Sequence, residues 1–76
     1  MKLNKTTKHD VKVGDVLRFK SGAEYTVTNV ITAYRYANAV SFTIRDNRDG
    51  RTIYAYPSSE LYGAEIVPFI DKGVNI

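Results

Sequence analysis

The side chains able to do covalent or proton-transfer chemistry are few in this chain. There is a single histidine, His9, beside Asp10, and there is no cysteine. Acid–base and nucleophilic catalysis need a base held in place against its partner group. His9 and Asp10 are neighbours in a polar segment with nothing to preorganise them, so His9 reads as a solvated side chain. Asp46 and Asp49 resemble a carboxylate pair. They flank a turn, however, where such side chains bond their own backbone, and their spacing lacks the ligand count of a calcium loop. Gly14, Gly22, Gly50, Gly63 and Gly73 stand singly, so no phosphate-cradling loop is encoded. The expectation is a chain that is not an enzyme, with no catalytic residue, no metal site and no cofactor.

Tyrosine and arginine offer a different chemistry. Arg45, Arg48 and Arg51 lie close to Tyr54 and Tyr56, and Tyr34-Arg35-Tyr36 repeats the combination. Tyrosine presents a large amphipathic surface at low entropy cost, and arginine a forked donor; both are enriched at binding hot spots. Bases stack on tyrosine, and arginine meets phosphate. The bland alternative is that tyrosine favours strands and that Arg45 and Tyr54 form a cross-strand cation–π pair. Tyr34 or Tyr36 can equally cover one end of a barrel. The candidate binding residues are therefore Arg45, Arg48, Arg51, Tyr54, Tyr56, Tyr34, Arg35 and Tyr36.

The elements that must position them start at Asp49-Gly50. This dipeptide favours a two-residue hairpin turn between Val40–Arg45 and Arg51–Tyr56. In that register Arg48 faces Arg51, Arg45 faces Tyr54, Ile44 faces Ala55 and Thr43 faces Tyr56. Phe42, Ile44, Ile53 and Ala55 then share a core face. Ser41, Thr43, Arg45, Thr52, Tyr54 and Tyr56 share the outer one. Val16–Lys20 reads as a first strand ended by Ser21-Gly22. Glu24–Tyr36 is a long β-rich run whose alternation slips at Asn29-Val30, where a bulge would return Val30 or Ile31 to the core. Ala37-Asn38-Ala39 forms the next turn. Pro57–Gly63 breaks the sheet with a short 3₁₀ turn, capped by Ser58 or Ser59 and ended by Gly63. Ala64–Ile70 is a last strand, with Pro68 marking an edge or its end.

Five strands in 76 residues form one small domain with a thin margin of stability. Curling the sheet into a barrel buries Val16, Leu17 or Phe19, Val27, Val30, Phe42, Ile44, Ile53, Leu61, Ile66, and Val67 or Phe69. A barrel this small is filled by its own side chains and leaves no substrate pocket. Residues 1–10 are polar, aperiodic and lysine-bearing, and read as a flexible basic arm; residues 71–76 read as a tail. The net charge is +3, with six Lys and Arg against two Asp in residues 1–20. This permits a nucleic-acid partner without requiring one. Asn4-Lys5-Thr6 matches a glycosylation sequon; with no apolar signal region in residues 1–10, the expectation is a chance match. No apolar run approaches the ~20 residues of a membrane span. The absence of cysteine fits a cytoplasmic setting.

The order of strand, long connection, three-strand meander, 3₁₀ turn and strand over residues 11–70 resembles the SH3-like barrel. Within it, Val13-Gly14-Asp15-Val16-Leu17-Arg18-Phe19, Gly22, Tyr25-Thr26-Val27 and Val30 resemble the opening of KOW-type SH3-like modules. There a Gly-Asp turn starts a strand and a glycine shapes the following bend. The usual second glycine before the returning strand is replaced here by Glu24-Tyr25-Thr26. The resemblance implies an all-β, five-stranded SH3-like barrel and contact with RNA or the transcription and translation machinery. In size and style the chain also resembles the small accessory proteins of bacteriophages. Two functions follow as expectations: binding of nucleic acid or a nucleoprotein through the Tyr/Arg face, or docking on a host protein of nucleic-acid metabolism as an inhibitor or adaptor. A third, self-assembly, would use an edge strand. No small-molecule substrate and no membrane enter this picture, and the chain is expected as a monomer or weak homo-oligomer.

Overall fold

The structure is a computed structural model and describes residues 1–33 and 39–68. Five strands, β1 (Val16–Arg18), β2 (Glu24–Ala33), β3 (Ala39–Asp46), β4 (Thr52–Pro57) and β5 (Glu65–Val67), carry the described fold together with 3₁₀ turns at Thr7–Asp10 and Ser58–Leu61. The strands form one antiparallel sheet in the order β4-β3-β2-β1-β5. The protein is therefore all-β. Among the described residues its two edge strands, β4 and β5, do not pair with each other, so the sheet is not closed. Among the described residues no helix is long and apolar enough to cross a membrane.

Alternation places the core on one face. Val40, Phe42 and Ile44 are buried at every second position of β3, with Val27 of β2, Leu17 of β1 and Ile66 of β5 in the same cluster. Val27 and Ile53 lie opposite Ile44 on either side, and Leu17 sits between Tyr25 and Ile66. Leu61 and Ala64 close the cluster from the 3₁₀ turn and the link to β5. Each such side chain gains on the order of 1.5–3 kcal/mol on burial. Leu17 fills the central position and Phe19 packs at the margin. β5 stops at Val67, immediately before Pro68, whose ring nitrogen cannot extend the ladder.

Two irregularities bend the sheet on either side of Thr43. Between Val27 and Asn29 of β2 the register slips by one, so Val30 meets Phe42 and packs on the core, while Ile31 remains exposed. The slip falls one residue before the expected Asn29-Val30. A second slip, between Phe42 and Ile44 of β3, sets two residues of β4 against Thr43.

Several expectations are corrected. The hairpin does not turn on Asp49-Gly50 alone. The Asp46 amide donates to the Arg51 carbonyl at 2.9 Å, which closes a four-residue loop, Asn47–Gly50. Ile44 consequently faces Ile53, not Ala55, and Arg45 faces Thr52, not Tyr54. Residues 1–10 are not a detached arm. Leu3 is only 1% exposed. Its amide donates to the Ala64 carbonyl, its carbonyl accepts from the Gly63 amide, and the Met1 carbonyl accepts from the Ile66 amide, each at 2.8 Å. Residues 1–3 thus line the free side of β5, and a single leucine in a polar segment anchors them. The second 3₁₀ turn has no side-chain cap; Ser58 is buried at its start instead. The expected tail, Phe69 and Ile70, and the Tyr34–Asn38 segment lie outside the described residues.

Candidate aromatic cleft

β1 ends at Arg18, and the chain passes through Phe19 into a tight bend. The Gly22 amide donates to the Phe19 carbonyl and the Phe19 amide to the Ala23 carbonyl, both at 2.9 Å. Gly22 takes a φ of 93°, a conformation costly for any residue with a Cβ. The bend brings Phe19 against Tyr25 at the start of β2, edge to face, with ring centroids 5.7 Å apart and planes at 82°. These two rings make one wall of a cleft of about 290 Å³. Ile44 and Ile53 also line it, Leu61 contributes from the 3₁₀ turn, and Tyr56 of β4 supplies a third aromatic ring.

Tyr56 reaches the cleft because of the slip in β4. Strict alternation from Ile53 would send it outward with Tyr54. The extra residue across from Thr43 puts Tyr56 opposite Phe42 instead, on the core side of the sheet. It is 38% exposed, whereas Tyr54 is 84% exposed. The expected common face of Tyr54 and Tyr56 is thereby divided. The Arg45–Tyr54 cation–π pair, the alternative to a binding role for these residues, is not formed among the described residues. Arg45 stands exposed on the outer face between Thr26 and Thr52.

The hairpin end adjoins the cleft through Tyr25, which lies opposite Asp46. The Asp46 carboxylate accepts from the Arg48 amide at 2.9 Å, from Arg48 Nη2 at 3.1 Å and from Arg48 Nε at 3.4 Å. The Gly50 amide donates to the Asp46 carbonyl at 2.8 Å, and the Arg51 amide to Asp49 Oδ1 at 2.8 Å. Hydrogen bonding from the Arg48 side chain and amide holds the Asp46 carboxyl below its ordinary value, and the charge of Arg51 adds to this. Asp46 in turn raises Arg48, with a smaller contribution from Tyr25. Arg48 does not face Arg51 across a turn; its charge is met by Asp46. Arg45 and Arg51 form no ion pair among the described residues.

The structure thus brings together Tyr56, Tyr25 and Phe19, with Arg48 nearby. It sets Arg45 and Tyr54 on the outer face and leaves Arg51 exposed at the base of the loop. Tyr34, Arg35 and Tyr36 lie outside the described residues. Phe19, Tyr25 and Leu61 were not among the candidate binding residues. The available signal was that Phe19 and Tyr25 flank the Ser21-Gly22 bend, which obliges them to meet. His9 is exposed in the first 3₁₀ turn. No group of three or more His, Cys, Asp or Glu side chains suited to a metal occurs among the described residues. The arrangement offers stacking, apolar contact and forked hydrogen bonding. No protein-family model matches this chain, and neither a curated protein nor a solved structure shows significant similarity to it.

Proposed function

We propose that this chain is a non-enzymatic, cytoplasmic binding module of SH3-like build that contacts nucleic acid or a nucleoprotein at the aromatic cleft. The observation that carries the reading is the convergence of Phe19, Tyr25 and Tyr56 around one open cleft, beside a hairpin end that bears Arg48 and Arg51. Flat rings that leave one face open accept unpaired bases regardless of sequence, and each stacked base contributes about 1–3 kcal/mol. The SH3-like element of the proposal is supported by the strand order, by antiparallel pairing of β1 with β5, and by the 3₁₀ turn that precedes β5. Closure of the sheet into a barrel belongs to the same proposal.

The test is fluorescence anisotropy of a labelled single-stranded oligothymidylate with the wild-type chain and Tyr56→Ala. The reading predicts a loss of at least about fivefold in affinity with the circular dichroism spectrum unchanged. Equal binding by a folded Tyr56→Ala variant would remove the cleft from the account.

A second reading, docking on a protein, is favoured by one specific feature: Arg48 is already neutralised by Asp46, and no charged side chain lines the cleft. A complex of that kind weakens only mildly as salt rises, because apolar burial is not screened. A complex with a phosphate backbone loses affinity steeply.

A further inference from the structure

Phe19 lines a second depression as well, of about 260 Å³, together with Lys2, Arg18, Lys20, Gly63 and Glu65. The fold itself gathers these cations. Arg18 lies opposite Glu24 in β2 and Glu65 in β5, and Lys2 bridges to Glu65 from the N-terminal segment. Lys20 follows Phe19 directly, in the bend after β1.

The charges do not cancel. Glu65 is engaged by the Met1 amino group, which is the main cause of its lowered pKa, and Lys2 and Arg18 contribute in the same direction. Glu24 binds Arg18 through Nε at 2.8 Å and leaves both terminal nitrogens of that guanidinium without a partner among the described residues. Lys2 and Lys20 are exposed and form no ion pair among the described residues. The depression therefore keeps surplus positive charge, carried by Arg18 on β1, Lys20 in the bend after it and Lys2 on the segment that lines β5. Gly63, at a φ of 97°, has open space where a side chain would project.

We propose that this depression holds a backbone phosphate of the single-stranded nucleic acid whose base occupies the aromatic cleft across Phe19. The proposal rests on the nucleic-acid reading of that cleft and deepens it. Phe19 lines both depressions, the apolar cleft proposed for the base and the cationic one proposed for the phosphate. A strand lying across Phe19 would meet Tyr25 and Tyr56 in the first and Lys2, Arg18 and Lys20 in the second. Lys and Arg at such a site supply affinity that depends on salt and not on sequence.

The experiment measures binding of a twelve-nucleotide oligothymidylate over a salt series for the wild type, the Lys2→Gln/Lys20→Gln double variant, the Lys2→Arg/Lys20→Arg double variant and Tyr56→Ala. Loss of two contacts should flatten the log–log salt slope by about 1.4, at roughly 0.7 per contact. The arginine double variant should keep the wild-type slope, and Tyr56→Ala should lower affinity with little change in slope. Binding that needs Tyr56 while the glutamine variant retains the wild-type slope would overturn the phosphate site alone. No binding by the wild type at low salt would overturn it together with the reading beneath it. A twelve-residue polyglutamate that binds as tightly, with the same slope and without need of Tyr56, would show general attraction to acidic chains, including proteins, and would equally overturn it.

Discussion

Asp46 organises the end of the hairpin. Its backbone accepts from Gly50 and donates to Arg51, and its carboxylate collects three donors from Arg48. Because bonding to Arg48 favours the ionised form, the folded-state pKa lies below the ordinary 3.8. A carboxylate depressed in this way adds stability in full above its unfolded pKa and loses it as pH falls through the lower folded value. The Arg48→Gln variant should therefore melt below the wild type by a constant margin from neutral pH down to about 5, and the gap should narrow at pH values below 3.8. A gap that does not change with pH would detach Arg48 from Asp46. Gly50 offers a second check. Its φ is 75° and an added Cβ would meet nothing within 4 Å, so Gly50→Ala costs only the conformational strain, about 1–2 kcal/mol by chemical denaturation. The Asp49-Gly50 pair announced a turn in the sequence, and a turn is there. Its length was not legible, because Asp46 captures two amides further along and draws Asn47 and Arg48 into the loop.

Among the elements, the segment that lines β5 departs furthest from what the sequence suggests. Leu3 stands alone among polar residues, so no periodicity marks it. Its partners, Gly63 and Ala64, lie at the other end of the chain. Pairing over such a separation leaves no local trace. Truncating a leucine buried to this degree removes apolar contacts and leaves a cavity, so Leu3→Ala should cost about 2–4 kcal/mol by urea denaturation. A cost under about half a kcal/mol would return residues 1–10 to the status of a loose arm. β4 shows the opposite case. Its existence and its core residue Ile53 followed from alternation, but a one-residue slip opposite Thr43 moved Tyr56 to the other face. Since strand side chains alternate with period two, a slip of one residue is enough to divide a site. Regular patterning locates strands well; it is silent on the bulges that decide which side a given tyrosine takes.

For the molecule as a whole, the strand positions and most of the core were legible from hydrophobic alternation: Val16, Val27, Phe42, Ile44, Leu61 and Ile66 are expected in the core and are buried, and of the alternatives Leu17 or Phe19 it is Leu17 that is buried. Val11, Val40 and Ala64 were not legible, since each lies at the margin of an element where alternation has too few positions to declare itself. In so small a domain, with a margin of only a few kcal/mol, Ile44→Ala should cost about 2–4 kcal/mol and unfold a large part of the population. The composite Tyr/Arg face expected from sequence resolves in space into a cleft and an outer surface, with Tyr56 in the first and Tyr54 and Arg45 on the second. The central claim is that the cleft is where the partner sits. Amide chemical-shift mapping of the isotopically labelled chain, titrated with a single-stranded oligothymidylate, tests it most directly. The account predicts shifts concentrated at Phe19, Ala23, Tyr25, Ile53, Tyr56 and Leu61, whereas shifts confined to Arg45, Thr52 and Tyr54 on the outer face would contradict it.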